Sequence, residues 1–563
     1  VTFGTNVNAI TGGDITAAAN LNFNNGGSID LGALTVTSGE TAIASSAGIM
    51  SLLDFQIENT GTFDIADATV EAERNFTRMD GADVTVDTDG DTDLEFTGAE
   101  DATLNLGDTR FLFEQGDIIV SKDQAADASV VVDGLLRIAN NARLRLQEPA
   151  NSLAQTTLTF NQNLNVDQST IRLETGAGDF QVDTGENTVV FRGSGNAIKS
   201  DGAGNLMISN IQNRASNDLN IGGSSNSLTV TVTDVINLST DGITVLDGAV
   251  LDPGPGAEVI RNVGETGTEI ATGGSGTFND AENIYNLTYT GDGSATTDDE
   301  LNSFVGNLAV ESDATANLDD SYEIQDTLSV AGRIGENGGT RTLTLASDSA
   351  EHSVTGRIEG ANNAITLQVD GTGAVVTGTD NPQLAGVSNV ARIENFVAND
   401  QGVVVENLHE IAGDLDVSAD IVPQDPTITP TLTLGLADDQ TAGSALTASN
   451  ALTLASDVTT EGNVNVNVDA STGDAEDGSI TFGEYDLTLT GNFTGQAGAS
   501  YTADGGALVF GNDNSFQNFG TASEAVPNVT VFDDGGGSGV DVSDLNADQD
   551  TSAVSNSLTV QAP

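Results

Sequence analysis

The sequence predicts an all-β protein whose chain coils into a right-handed parallel β-solenoid, also called a β-helix. Short runs of alternating apolar and polar residues recur throughout its 563 residues. Turn residues interrupt these runs every few positions, and 65 residues are Gly. No long segment repeats apolar residues at the 3.6-residue period of a helix. These three observations indicate many short strands, each with one buried and one hydrated face.

The individual strands are runs of about three to six residues in which Leu, Val or Ile alternates with Thr, Asn, Asp or Arg. Gly, Asn or Asp bounds most runs, as is typical of tight turns. The clearest examples are GALTVTSG from Gly32, ADVTVDTDG from Ala82, ATLNLGD from Ala102, GLLRIANNARLRL from Gly134, TLTFNQNLNV from Thr157, SLTVTVTDV from Ser227, TLTLAS from Thr342 and ALTLAS from Ala451. Strands this short bury little surface alone, so we expect them to stack on equivalent strands of neighbouring coils.

A longer unit also recurs, at uneven spacing. It contains a Gly-rich turn, an inserted apolar residue, a loop, and a strand that opens with Asn. The three clearest copies span Val189–Asn210, Gly273–Gly291 and Ala507–Gly535, with strand openings at Asn205-Leu206, Asn286-Leu287 and Asn528-Val529. Internal repetition of this kind favours a coiled array. Around the last copy we expect the aromatic side chains to point inward, namely Phe493, Tyr501, Phe510 and Phe516.

The alternative fold is a string of tandem β-sandwich domains. Sandwiches need large buried anchors about every hundred residues, and this chain has no Trp and 5 Tyr. The solenoid is therefore favoured, with about 22 residues in each turn.

Two proline-rich segments suggest where the solenoid bends or divides. They are DPGPG at Asp252–Gly256 and PQDPTITP at Pro423–Pro430. Proline within a parallel sheet removes a ladder hydrogen bond, so each segment predicts a kink or junction, with a loop between turns as the alternative. On this basis we divide the chain into a solenoid at 1–252, its continuation at 253–422, and a β-rich C-terminal segment at 423–563.

The charge is strongly acidic. The chain has 84 Asp and Glu against 16 Lys and Arg, a net charge of −68, and no cationic residue follows Arg392. Screening by dissolved or diffusely bound cations must replace salt bridges there. This composition resembles that of proteins from extreme halophiles. Phosphate-bearing partners would be repelled, so we expect no nucleic-acid partner and, in the absence of a long apolar run, no insertion into a membrane.

The C-terminal pattern LTLTGNFTGQAGASYTADGGALVFGNDNSFQNFG, followed by VPNVTVFDD, resembles repeats of very large secreted surface proteins of Bacteroidota-type bacteria. The residues that carry this resemblance are Gly491, Asn492, Phe493, Phe510, Gly511, Phe516, Asn528 and Val529. The chain is also similar to the β-helical passenger regions of bacterial adhesins. The resemblance implies an extracellular or cell-surface filament or adhesin, and it names no ligand.

One acidic run is a candidate Ca²⁺ site. The run DTDGDTDLE places carboxylates at alternate positions around Gly90, as oxygen-rich Ca²⁺ loops do. Its candidate ligands are Asp87, Asp89, Asp91, Asp93 and Glu95. An acidic turn between two strands is the alternative interpretation, and no other cofactor is expected.

Catalytic motifs are not evident in the sequence. Paired acids occur throughout, so no single pair identifies an active site. The two histidines, His352 and His409, stand in polar contexts and are predicted to be solvated. We therefore expect a non-enzymatic structural protein that associates with itself into a fibre and contacts surface glycans or other cells. The alternative is a β-helix that binds or cleaves polysaccharide, including proteins like phage tailspikes.

Overall fold

A computed structural model gives the fold. It describes residues 2–3, 9–18, 21–23, 28–37, 41–44, 49–57, 62–65, 69–78, 83–86, 93–97, 101–106, 111–114, 116–121, 128–147, 156–174, 179–222, 227–360, 364–377, 392–393, 395–398, 403–406, 410–411, 414–417, 431–434, 440–442, 445–448, 451–454, 458–460, 463–466, 479–489, 493–495, 500–510, 526–532 and 554–561. Within these residues there are strands and turns but no helix.

The strands of the first half of the chain are β1 Thr2–Phe3, β2 Ala9–Gly12, β3 Ile15–Ala17, β4 Leu21–Phe23, β5 Ser28–Val36, β6 Thr41–Ala44, β7 Ile49–Ile57, β8 Thr62–Ile65, β9 Thr69–Arg78, β10 Asp83–Val86, β11 Asp93–Phe96, β12 Ala102–Asn105, β13 Phe111–Glu114, β14 Asp117–Val120, β15 Ala128–Asp133, β16 Leu136–Ala139, β17 Arg143–Leu146, β18 Thr156–Phe160, β19 Leu164–Asp167, β20 Thr170–Leu173, β21 Asp179–Asp183, β22 Val189–Gly193, β23 Ala197–Ser200, β24 Gly204–Ala215, β25 Leu219–Ile221, β26 Leu228–Leu238, β27 Ile243–Val245, β28 Ala249–Pro253, β29 Glu258–Asn262, β30 Ile270–Thr272 and β31 Thr277–Phe278.

The remaining strands are β32 Tyr285–Thr290, β33 Gly293–Thr296, β34 Val305–Val310, β35 Ala314–Leu318, β36 Tyr322–Ile324, β37 Leu328–Val330, β38 Arg333–Glu336, β39 Arg341–Leu345, β40 Glu351–Val354, β41 Arg357–Ile358, β42 Ile365–Val369, β43 Val375–Thr377, β44 Arg392–Ile393, β45 Asn395–Ala398, β46 Val403–Glu406, β47 Glu410–Ile411, β48 Asp414–Val417, β49 Thr431–Leu434, β50 Gln440–Ala442, β51 Ala445–Ala448, β52 Ala451–Leu454, β53 Val458–Thr460, β54 Asn463–Val466, β55 Ser479–Gly483, β56 Leu487–Leu489, β57 Phe493–Gly495, β58 Ser500–Ala503, β59 Leu508–Phe510, β60 Val526–Phe532 and β61 Val554–Gln561.

The chain divides into two compact units. Unit 1 contains Val1–Tyr285 with Asp298–Glu300, and unit 2 contains Asn286–Thr297 with Leu301–Pro563. In unit 1, parallel stacks form when each strand pairs with the equivalent strand of the next turn. One such stack runs through β11, β14, β17, β20, β23, β25, β27 and β30.

The interior of unit 1 contains columns of aliphatic side chains that stack in register from turn to turn. Consecutive members of one such column stand 23 to 27 residues apart and are all buried. The column contains Val70, Leu94, Ile118, Leu144, Ile171, Ile198, Ile221 and Val245. Such a column removes apolar surface from water at each turn, which is the main favourable contribution to folding.

Unit 2 has the same construction. One of its stacks runs from β33 through β35, β38 and β41 and ends at β61, and a second runs from β36 to β57. Leu343, Leu367 and Phe396 form an inward column of the second stack. Parallel stacking in both units confirms the predicted β-solenoid over the tandem sandwiches.

The structure also describes parts of the repeated unit and of the aromatic residues that were predicted to point inward. The apolar residues at the three strand openings, Leu206, Leu287 and Val529, are buried. Phe493 and Phe510 are fully buried, whereas Phe516 lies outside the described residues.

The two proline-rich segments fare differently. Pro253 ends β28 in register with Val232, and the Gly254 N–H donates to the Val232 carbonyl at 2.7 Å. The segment from Asp252 therefore lies at the end of β28 and in its connection to β29, and both strands pair with β26. The predicted kink or junction stays a prediction. The segment Pro423–Pro430 lies outside the described residues.

Candidate functional site: a charged outer face

Charged side chains are concentrated along β9, β11, β14, β17, β20 and β23, and we call this region the charged face. It contains two columns of residues in register on successive turns, and all of them except Ile119 are polar or charged. The first column runs Asp93, Asp117, Arg143, Thr170, and the second runs Glu71, Glu95, Ile119, Arg145, Arg172, Lys199. The second column stacks three cations on consecutive turns of a chain that has 16 in total.

Asp117 is the central acceptor of the charged face. Its Oδ1 accepts from Arg143 Nε at 2.6 Å, and its Oδ2 accepts from Arg143 Nη2 and Arg145 Nη1, both at 2.7 Å. The side chain of Asp117 is only 2% exposed. Charge-assisted bonds of this geometry are stronger than neutral ones, so Asp117 joins two adjacent arginines of β17 to β14.

The ion pairs continue along the face. Arg145 Nε donates to Glu174 at 2.6 Å, and Arg172 donates through Nε and Nη2 to Asp201 at 2.9 and 2.7 Å. Stacked cations repel one another, and each of these carboxylates offsets that repulsion. Arg145 and Arg172 therefore hold neighbouring turns together. A ligand would have to break these ion pairs to bind either arginine.

The structure describes two of the five candidate Ca²⁺ ligands, Asp93 and Glu95, both on β11. Asp87, Asp89 and Asp91 lie outside the described residues. One oxygen of Asp93, Oδ1, accepts from the Asp117 backbone N–H at 3.2 Å. In the described part of the chain, no group of three or more acidic or histidine side chains could hold a metal ion. The Ca²⁺ site therefore stays a prediction.

The acidic end of the charged face has perturbed pKa values. Burial, followed by the neighbouring Asp117 charge, raises the pKa of Asp93. Burial, followed by the Glu71 charge one turn away, raises the pKa of Glu95. Both carboxyls are thus easier to protonate in the folded chain. A bound cation would relieve the repulsion between these carboxylates and their charged neighbours.

Sequence reasoning did not identify the cation column. Arg145, Arg172 and Lys199 recur at intervals of 27 residues, which is the local turn length. An assumed average of 22 residues misses that register. The sequence nevertheless contains the pattern that indicates this column, namely a fixed interval between residues of a rare, cationic type.

A separate acid pair lies at the turn before β27. Burial, followed by a hydrogen bond with Asp218, raises the pKa of Asp241 to about 6. Thr244 Oγ1 donates to Asp218 Oδ2 at 2.5 Å, which holds the second carboxyl in place. A carboxyl with a pKa near neutrality can act as a general acid or base.

The prediction that His352 is solvated is wrong. Its side chain is 1% exposed and occupies an inward position of β40, aligned with Leu328 on β37. The Leu328 N–H donates to Nδ1 at 3.2 Å. Burial lowers the pKa of His352 to about 4, so it is a neutral core residue at neutral pH. His409 lies outside the described residues.

Aromatic residues are scarce on the described surface, where Tyr485 is the one exposed aromatic side chain, at 39%. Among the described residues, no helix is long and apolar enough to span a membrane. Comparisons with protein-family models, with curated proteins and with solved structures give no match.

Proposed function

We propose that the chain is a structural segment of an extracellular or cell-surface filament or adhesin, without enzymatic activity. The observation that supports this most is the unbroken register of the aliphatic column from Val70 to Val245. Parallel backbone ladders that continue over many turns resist bending and stretching, because deformation must break bonds in every stack.

The surface charge fits the same role. A net charge of −68 keeps isolated molecules soluble in concentrated salt, where screening extends only about 3 Å at about 1 M. In such salt, molecules that would repel one another at low ionic strength can approach and assemble. Self-association into a fibre is therefore part of the proposal, as is contact with surface glycans or other cells.

Negative-stain microscopy of the purified chain in about 1 M NaCl tests the filament proposal. We expect elongated polymers whose length grows with protein concentration. Isolated particles at every concentration would contradict it, and discrete trimers would favour a tailspike-like protein. Far-ultraviolet circular dichroism should accompany the images, to show that the sample keeps its sheet structure.

A second candidate function rests on the Asp218–Asp241 pair. A carboxyl with a pKa of about 6 can donate a proton as a general acid, which is one of the two roles that cleavage of a glycosidic bond requires. Incubation with neutral and uronate-containing polysaccharides, followed by reducing-end assay, tests this activity. Cleavage that is lost in Asp241→Asn would support it, and no cleavage by the unaltered protein would leave the structural role.

A further inference from the structure

Two arginines of unit 1 stand in register on neighbouring turns and face outward. Arg192 lies on β22 and Arg214 on β24, where the two strands pair. Both side chains are exposed. The residue one turn before Arg192 in the same column is Asp167. We call Arg192 and Arg214 the arginine pair.

The arginine pair differs from five other arginines of unit 1 whose side chains the structure describes, each of which binds a carboxylate. Those ion pairs are Arg137–Asp167, Arg143–Asp117, Arg145–Glu174, Arg172–Asp201 and Arg261–Glu300. Arg192 Nε donates to the amide oxygen of Asn165 at 3.0 Å. The side chain of Arg214 forms no hydrogen bond or ion pair with any residue that the structure describes. Asp167, the nearest acid in register, is already bound by Arg137.

A second arginine pair in unit 2 shows how the fold offsets such a charge. Arg333 on β38 and Arg357 on β41 are also in register on neighbouring turns. Glu359 Oε1 lies 3.6 Å from Arg333 Nε and 3.1 Å from Arg357 Nη1. One carboxylate thus bridges two guanidinium groups. Arg192 and Arg214 have the same backbone relationship but no carboxylate between them.

We propose that the arginine pair binds a carboxylate side chain of a second copy of this chain. Neighbouring strands lie about 4.8 Å apart, so like charges in register on them repel each other. A carboxylate placed against both would accept hydrogen bonds from two planar forks, which is the geometry that arginine recognises best. The site is therefore completed by an acid from outside unit 1.

The distribution of charge along the chain favours a second copy as the source of that acid. Residues 128–214 contain seven cationic and eight acidic residues and are almost neutral. Residues 393–563 contain 27 acidic residues and no cation. An acidic segment of one molecule therefore meets least repulsion at the part of another molecule that contains the arginine pair.

This inference rests on the proposed self-association and assigns it a contact surface. Its test compares Arg192→Gln/Arg214→Gln with the matched control Arg333→Gln/Arg357→Gln. Each double variant removes two positive charges from register neighbours, but the control pair already has Glu359. Sedimentation velocity over a hundredfold range of concentration, in about 1 M NaCl, measures association.

We expect the unaltered protein and the control to associate, and Arg192→Gln/Arg214→Gln to require at least tenfold higher concentration. Equal association of all three proteins would overturn the inference and leave the filament proposal intact. No association of the unaltered protein would overturn both. If the unaltered protein stays monomeric and binds polygalacturonate through the arginine pair, the site takes an acidic polysaccharide and the second-copy assignment is wrong.

Discussion

Arg261 and Glu300 form an ion pair inside unit 1, where their side chains are 4% and 0% exposed. Arg261 occupies an inward position of β29 in register with Leu238 one turn earlier, so a guanidinium stands where an aliphatic side chain is expected. Tyr285 Oη donates to the Glu300 carbonyl at 2.6 Å and fixes the backbone that presents the carboxylate. Burial raises the pKa of Glu300, although the Arg261 charge opposes the shift.

The first prediction is that Glu300→Gln destabilises the chain by about 3–5 kcal/mol, because it leaves the Arg261 charge buried without its counter-charge. Glu269→Gln is the matched control, since Glu269 approaches the same guanidinium at 3.5 Å but is 36% exposed. The control should cost about 0–1 kcal/mol. Urea unfolding at pH 7 measures both, and equal losses would show that the buried pair has no special role.

The second prediction concerns Asp117, which accepts from two arginines of β17. Asp117→Asn removes the charge and one acceptor oxygen, and we expect a loss of about 3 kcal/mol in the free energy of unfolding. Asp201→Asn removes the partner of Arg172 at a site that is 36% exposed, and should cost about 0–1 kcal/mol. A smaller effect at Asp117 than at Asp201 would contradict the assigned role.

Alternation in the sequence predicted the strand faces, because period two directly reports which side of a strand is buried. The same period, applied to β29 and β40, puts Arg261 with Val259 and His352 with Val354 on one face, as the structure does. We gave more weight to the polar sequence context of His352 than to that pattern, and so predicted a solvated side chain. The partner of Arg261 stands 39 residues away, and such a distance depends on loop lengths that no local pattern records. The charged face was missed for the same reason.

The third prediction is that His352 makes unit 2 sensitive to acid. Its pKa is about 4 in the fold and about 6.5 in an unfolded chain, so the unfolded state takes up the proton first. The contribution of His352 to the free energy of unfolding is therefore fully present above pH 6.5. It falls by about 3 kcal/mol in total as the pH decreases towards 4. His352→Leu restores the aliphatic character of the column and should remove this loss.

The difference in acid sensitivity between the unaltered protein and His352→Leu isolates the contribution of His352. Asp241, with a raised pKa of about 6, has the opposite sign, since its contribution is lost as the pH rises through 6. It is present in both proteins and cancels. Urea unfolding at pH 7.5 and 4.5 should show a smaller acid loss in His352→Leu. Parallel pH profiles would exclude His352 as the cause.

The fourth prediction is that stability depends on salt, and most strongly in the part of the chain that has no cations. Residues 393–563 contain 27 acidic residues and no Lys or Arg, whereas residues 128–214 are almost neutral. A decrease from about 1 M to 0.1 M NaCl lengthens the screening distance from about 3 to 10 Å, which restores repulsion between carboxylates on neighbouring turns. Hydrogen exchange should therefore accelerate first after residue 392 and least within 128–214. Uniform acceleration, or none, would contradict this prediction. Micromolar CaCl2 added at constant ionic strength is the control, because a stabilisation that is lost in Asp93→Asn/Glu95→Gln would show a defined site where we expect diffuse screening.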